Sequence, residues 1–135
     1  MKNAISFLLI LLGFSFQALS QESQNEHLLD GTSLDYYYPD GGAVHAEFEE
    51  GQFKFDWILG PNEGASGECD YKSRKIGDKL YLVNFKYDPS AAFVTIVFNF
   101  KQKVFATSAI LGAGTDQEVS LFEAGIIKEL TLKEK

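Results

Sequence analysis

AVHAEFEEGQFKFDW, residues 43–57, alternates apolar and polar side chains on both sides of Glu50-Gly51. Placing Glu50-Gly51 as a two-residue turn sets Glu49 opposite Gln52. Phe48 then faces Phe53, Ala46 faces Phe55 and Val44 faces Trp57, all on one side. On the other side Glu47 meets Lys54 and His45 meets Asp56. A slip of one residue would exchange the two faces, so a register that satisfies both is specified by the sequence itself.

The same reading extends along the chain. With Lys101-Gln102 as a turn, Phe98 pairs with Phe105, Ile96 with Thr107 and Val94 with Ala109. An even loop at 88–91 keeps Phe85 and Val94 on a common side. With Gly77-Asp78 as a turn, Arg74 pairs with Tyr81, Lys72 with Val83, Asp70 with Phe85 and Glu68 with Tyr87. Strands are expected near 33–38, 43–49, 52–59, 67–76, 79–87, 92–100, 103–111, 117–123 and 126–132. Helical periodicity is nearly absent. About nine short strands in meander order predict an all-β, single, small antiparallel up-and-down barrel spanning 33–135. Closing the sheet removes exposed edges and leaves an interior able to hold one ligand.

Outside this domain, residues 1–20 read as a cleaved secretory signal. Lys2 supplies a positive start, Ala4 to Phe16 is almost continuously apolar, and Ala18-Leu19-Ser20 suits signal cleavage. The apolar run is short for a membrane span, and no cysteine follows it to carry a lipid. An exported protein, periplasmic or secreted, is therefore expected, with 21–32 as a flexible polar leader and no membrane span after signal removal. The formal net charge of −7 disfavours nucleic acid as a partner. Cys69 is the single cysteine, so no disulfide forms within the chain.

Few residues suggest chemistry. His45, Glu47 and Glu49 alternate along one face at a spacing compatible with metal ligation. Their cross-strand partners make them ordinary outward pairs instead, and no metal or cofactor is called for. No serine sits in a recognisable nucleophile motif. Gly112-Ala113-Gly114 precedes a strand, so it offers no helix N-terminus for phosphate. Arg74 has two readings. In one its guanidinium reaches the cavity beside Tyr81 and Tyr87 and holds an anionic group; in the other the strand slips or bulges and the charge faces water.

A family resemblance adds to this. Tyr36-Tyr37-Tyr38-Pro39-Asp40-Gly41-Gly42, Trp57-Ile58-Leu59-Gly60 and the run Ser73 to Phe85 resemble the MoaF-like domain over nearly the whole proposed barrel. That resemblance implies a lipocalin-like, calycin-type barrel, in a family many of whose members have no assigned activity. The chain is also distantly similar to phenolic acid decarboxylases, cofactor-free enzymes of the same barrel type. Tyr36 and Tyr38 before Asp40-Gly41 match their paired tyrosines. Asp56 stands where their arginine would be, and Tyr87, two after Phe85, where their glutamate would be.

The expected function is binding of a small apolar or aromatic molecule inside the barrel. Tyr36, Tyr38, Phe55, Trp57, Phe85 and Tyr87 would line the cavity, with Tyr81 on the same inner face and Arg74 as an anion contact. The residues favour binding over catalysis. A cofactor-free lyase or isomerase using tyrosine hydroxyls is the alternative. A further one is an interaction module, homodimeric through Phe93, Val97, Val104, Ala106 and Ile110.

Overall fold

A computed structural model describes residues 26–134. The expected signal segment and the first residues of the leader lie outside them. Eight antiparallel strands form a closed barrel in sequence order: β1 (Ser33–Tyr37), β2 (Ala43–Glu49), β3 (Gln52–Leu59), β4 (Ser66–Gly77), β5 (Leu80–Tyr87), β6 (Ala92–Asn99), β7 (Val104–Leu111) and β8 (Val119–Thr131). A 3-10 turn, Asp88–Ser90, joins β5 to β6.

The β2–β3 hairpin has the register read from its two faces, from Glu49↔Gln52 to Val44↔Trp57. Glu50 and Gly51 both take positive φ, the geometry whose twist matches that of the flanking strands. The β6–β7 pairing also follows expectation, with Phe98↔Phe105, Ile96↔Thr107 and Val94↔Ala109. Phe85 and Val94 are partners across β5–β6.

Two elements differ from the sequence reading. The strands expected at 117–123 and 126–132 are one continuous strand, β8, which gives eight strands rather than about nine. Ala124-Gly125 is not a turn but the place where β8 changes partner. Val119–Ile126 pairs with β7, and Ile126–Thr131 with β1, which closes the barrel. A Cβ on Gly125 would lie 1.9 Å from the Tyr37 carbonyl oxygen, so only glycine lets the two backbones approach this closely.

The β4–β5 register is also shifted. Ile76 is the extra residue of a bulge between Lys75 and Gly77, and it moves the whole of β4 by one place. Tyr71 therefore faces Phe85 and Ser73 faces Val83 on the inside. The charged row Asp70, Lys72 and Arg74 lies on the outside. Arg74 is exposed and donates to its neighbour Ser73's carbonyl, so it is not an anion contact in the cavity.

The two barrel ends are built differently. At one end, joined by the tight β2–β3 and β4–β5 turns, Phe48 packs against Phe53, Tyr71 and Phe98, with ring centroids 5.2, 4.8 and 6.3 Å apart. Phe98 stacks on Phe100 at 5.6 Å. Residues 26–32, part of the expected leader, cross this end and are tied to it. Leu29 is fully buried, and its N–H donates to the Tyr71 hydroxyl, which in turn donates to Asp30. Ser73 Oγ accepts from the Leu28 N–H and donates to the Glu26 carbonyl. No buried side-chain polar atom among the described residues lacks a partner. Among these residues no helix is long and apolar enough to cross a membrane.

Candidate ligand cavity

The other end carries the longer connections, 38–42, 60–65 and 112–118, and it is open. A cavity of about 750 Å³ runs inward from it, within the range of small-molecule sites. Much of its wall comes from alternate residues of β2, β3, β6 and β7, whose pairings follow the sequence reading. Tyr36, Tyr38, Phe55, Trp57, Phe85 and Tyr87, six of the expected residues, all line it. Tyr81 does not. It is buried at the filled end, where its hydroxyl donates to Glu134 at 2.8 Å. Arg74 stands on the outer wall, as described above.

Tyr36 and Phe53 form part of the floor that separates the cavity from the packed end. The Tyr36 ring meets Phe98 and Phe105 edge-on at 5.8 and 4.9 Å, and Phe53 stacks on Phe85 at 4.5 Å. Nearer the mouth, Tyr38 and Trp57 stack with centroids 5.8 Å apart and planes only 19° from parallel. Next along β3 from Trp57, Phe55 makes an edge-to-face pair with Tyr87 at 5.1 Å. This pair fits because residue 67 is glycine. A Cβ there would come within 2.6 Å of the Tyr87 hydroxyl and 2.8 Å of the Phe55 ring.

Polar groups are few. The Tyr38 hydroxyl is 3.2 Å from Thr107 Oγ1. Tyr36 makes no side-chain hydrogen bond among the described residues, yet no buried polar atom there is unsatisfied, so its hydroxyl opens on the cavity. Burial pushes the Tyr36 phenol well above its ordinary pKa, with the Tyr38 phenol adding to the shift. Tyr38 is also raised, first by burial; the bond to Thr107 opposes this, and the charges of Asp40 and Glu123 reinforce it. Both shifts favour the protonated phenols, which are available as hydrogen-bond donors.

Thr107, Asp40 and Glu123 were not anticipated. Glu123 pairs with Thr107 across β7–β8 and lines the cavity, as does Asp40 in the β1–β2 loop. The pattern Leu121, Glu123, Gly125, Ile127 along one unbroken strand was the available signal. Reading a turn at Ala124-Gly125 hid it.

On the outer wall, His45 does not pair with Asp56, although the two are partners in register. Its Nδ1 lies 2.6 Å from Asp35 and its Nε2 3.2 Å from Glu47. Lys54 bonds Glu49 rather than Glu47. No set of three ligating side chains suited to a metal ion exists among the described residues.

No family model matches the chain, and no curated protein is similar to it. Among solved structures the fold is similar to one described as "a putative beta-lactamase from Burkholderia vietnamiensis". The TM-score is 0.62 at 17% identity, covering 73% of this chain and 92% of that one. At this identity the likeness concerns the barrel alone.

Proposed function

We propose that this protein is an exported binding barrel that holds a small, largely apolar or aromatic molecule in its open end. The observation that carries the reading is the cavity of about 750 Å³, lined by seven aromatic residues, of which Tyr36 and Phe53 belong to its floor. A barrel without a binding role would be expected to fill both ends, since protein interiors are close-packed. The tyrosine hydroxyls supply the few oriented donors that such sites use for specificity. The resemblance to the MoaF-like domain fits a calycin-type barrel of this kind. Export rests on the segment from Lys2 to Ser20.

Catalysis finds less support. Ser66 and Ser90 line the cavity, but among the described residues no histidine or lysine lines it to activate them, which weighs against a serine hydrolase. For a phenolic acid decarboxylase, the position aligned with the arginine is Asp56, exposed on the outer wall.

The test is native mass spectrometry of the gently purified exported protein, repeated on Ala109→Trp. Ala109 is a small buried side chain on the cavity wall, so the larger indole occupies the ligand's space. A discrete added mass that disappears in the variant supports the reading. A bare mass, together with no quenching of Trp57 by a broad panel of aromatic compounds, overturns it. Trp57 is the only tryptophan and lies in the wall, so its fluorescence reports occupancy directly.

A further inference from the structure

The cavity's charges are one-sided. Asp40 and Glu123 line it, and no lysine, arginine or histidine does among the described residues. Neither carboxylate belongs to an ion pair there; the pairs that form involve other residues. Asp40 accepts a hydrogen bond from the Gly42 N–H at 2.7 Å, which fixes it at the rim. Gly42 also lies beside the Trp57 ring, so this carboxylate and the stacked Tyr38–Trp57 pair share one side of the mouth. Glu123 projects from β8 at the level of Thr107, to which the Tyr38 hydroxyl is bonded. Both carboxylates are exposed at the mouth and both act on the Tyr38 phenol, so the charge near the stacked pair is negative.

From this arrangement we infer that the ligand is an organic cation: an apolar or aromatic body carrying an ammonium group. The body occupies the floor formed by Phe53, Phe85 and Ile96, and the ammonium lies between Glu123, Asp40 and the ring faces. Aromatic faces attract cations, and partial desolvation strengthens that attraction. A carboxylate ligand meets the opposite: two like charges and no basic partner, an arrangement that rejects it. The negative field reaches the site itself, since both carboxylates raise the Tyr38 phenol. This inference deepens the binding-barrel reading and rests on it.

The experiment is calorimetric titration of the purified protein with three matched probes, 4-phenylbutylammonium, 4-phenylbutanol and 4-phenylbutyrate. The ammonium is expected to bind at least tenfold more tightly than the alcohol, and the butyrate more weakly than either. Glu123→Gln should bring the ammonium within about threefold of the alcohol, and Glu123→Lys should reverse the order of ammonium and butyrate. Using ratios on one preparation cancels any change in the amount of folded protein. Equal binding of alcohol and ammonium, or preferred binding of butyrate to the unaltered protein, overturns the cation inference and leaves the binding barrel standing. Silence from all three probes and from Trp57 fluorescence removes both.

Discussion

One barrel wall serves two unlike ends. At the filled end, short turns, the Phe48 ring cluster and the crossing segment 26–32 pack the barrel interior with the protein's own side chains. At the open end the same strands continue, but their connections are longer and the rings stand apart around a cavity. The strands do not differ in kind. What differs is whether a segment from outside the barrel covers the end. Leu29 closes one end, and nothing comparable among the described residues closes the other. Stability and the proposed binding therefore fall at opposite ends of the same sheet.

The sharpest test is a matched pair of deletions. Phe48→Ala, at the filled end, is expected to cost about 3–5 kcal/mol in urea unfolding. Phe55→Ala, a half-buried ring on the cavity wall, should cost about 1 kcal/mol and mainly weaken ligand binding. Equal costs would erase the distinction between the ends.

A gentler pair removes only hydroxyl groups. Tyr71→Phe strips the Leu29 N–H of its acceptor and Asp30 of a donor, and should cost about 1–3 kcal/mol. Tyr38→Phe breaks only a bond to Thr107 at the wet end, so its cost should be under about 1 kcal/mol while ligand affinity falls. A larger loss of stability from Tyr38→Phe would show that the open end is braced as well.

The smallest effect belongs to neither end. Asp35, and then Glu47, raise the His45 pKa, with partial burial opposing them. The folded value therefore exceeds the unfolded one. The resulting stabilisation is fully present below the unfolded pKa of about 6.5 and disappears as pH rises through the folded value. His45 is more than a third exposed, so the gain should stay well under about 1 kcal/mol. Asp35→Asn should lower the His45 pKa followed by NMR and flatten this pH dependence. An unchanged titration would remove the pair.

The barrel was legible wherever two faces constrained one register. Phe48, Phe55 and Trp57 on one side, with Lys54 and Asp56 on the other, leave β2–β3 no second choice. In β4 the alternation is present, with Cys69, Tyr71 and Ser73 inward and Glu68, Asp70, Lys72 and Arg74 outward, but a tight turn at Gly77-Asp78 with no bulge before it assigns the wrong set to the inside. One bulged residue, Ile76, then reversed the strand's two faces and carried Arg74 outward. The aromatic cavity lining followed from the well-determined strands. Its polar residues did not, because Glu123 and Asp40 acquire meaning only once β8 is continuous and the β1–β2 loop stands at the mouth. The crossing segment was hidden for a similar reason. Leu28 and Leu29 amid polar residues show no period, and their burial depends on a surface built by distant strands.

The continuity of β8 also governs how this chain can fold. Seven of the eight strand pairings join neighbours in sequence and can form as local hairpins. The eighth, Tyr37↔Ile126 to Ser33↔Thr131, joins the first strand to the last. That contact carries the largest loop-closure entropy in the domain and gains little from any partial structure. Until β8 is complete, the first strand and the last are both open edges. The meeting of these two edges is the expected slow step of folding, and a chain still being synthesised cannot close its barrel until its final strand arrives.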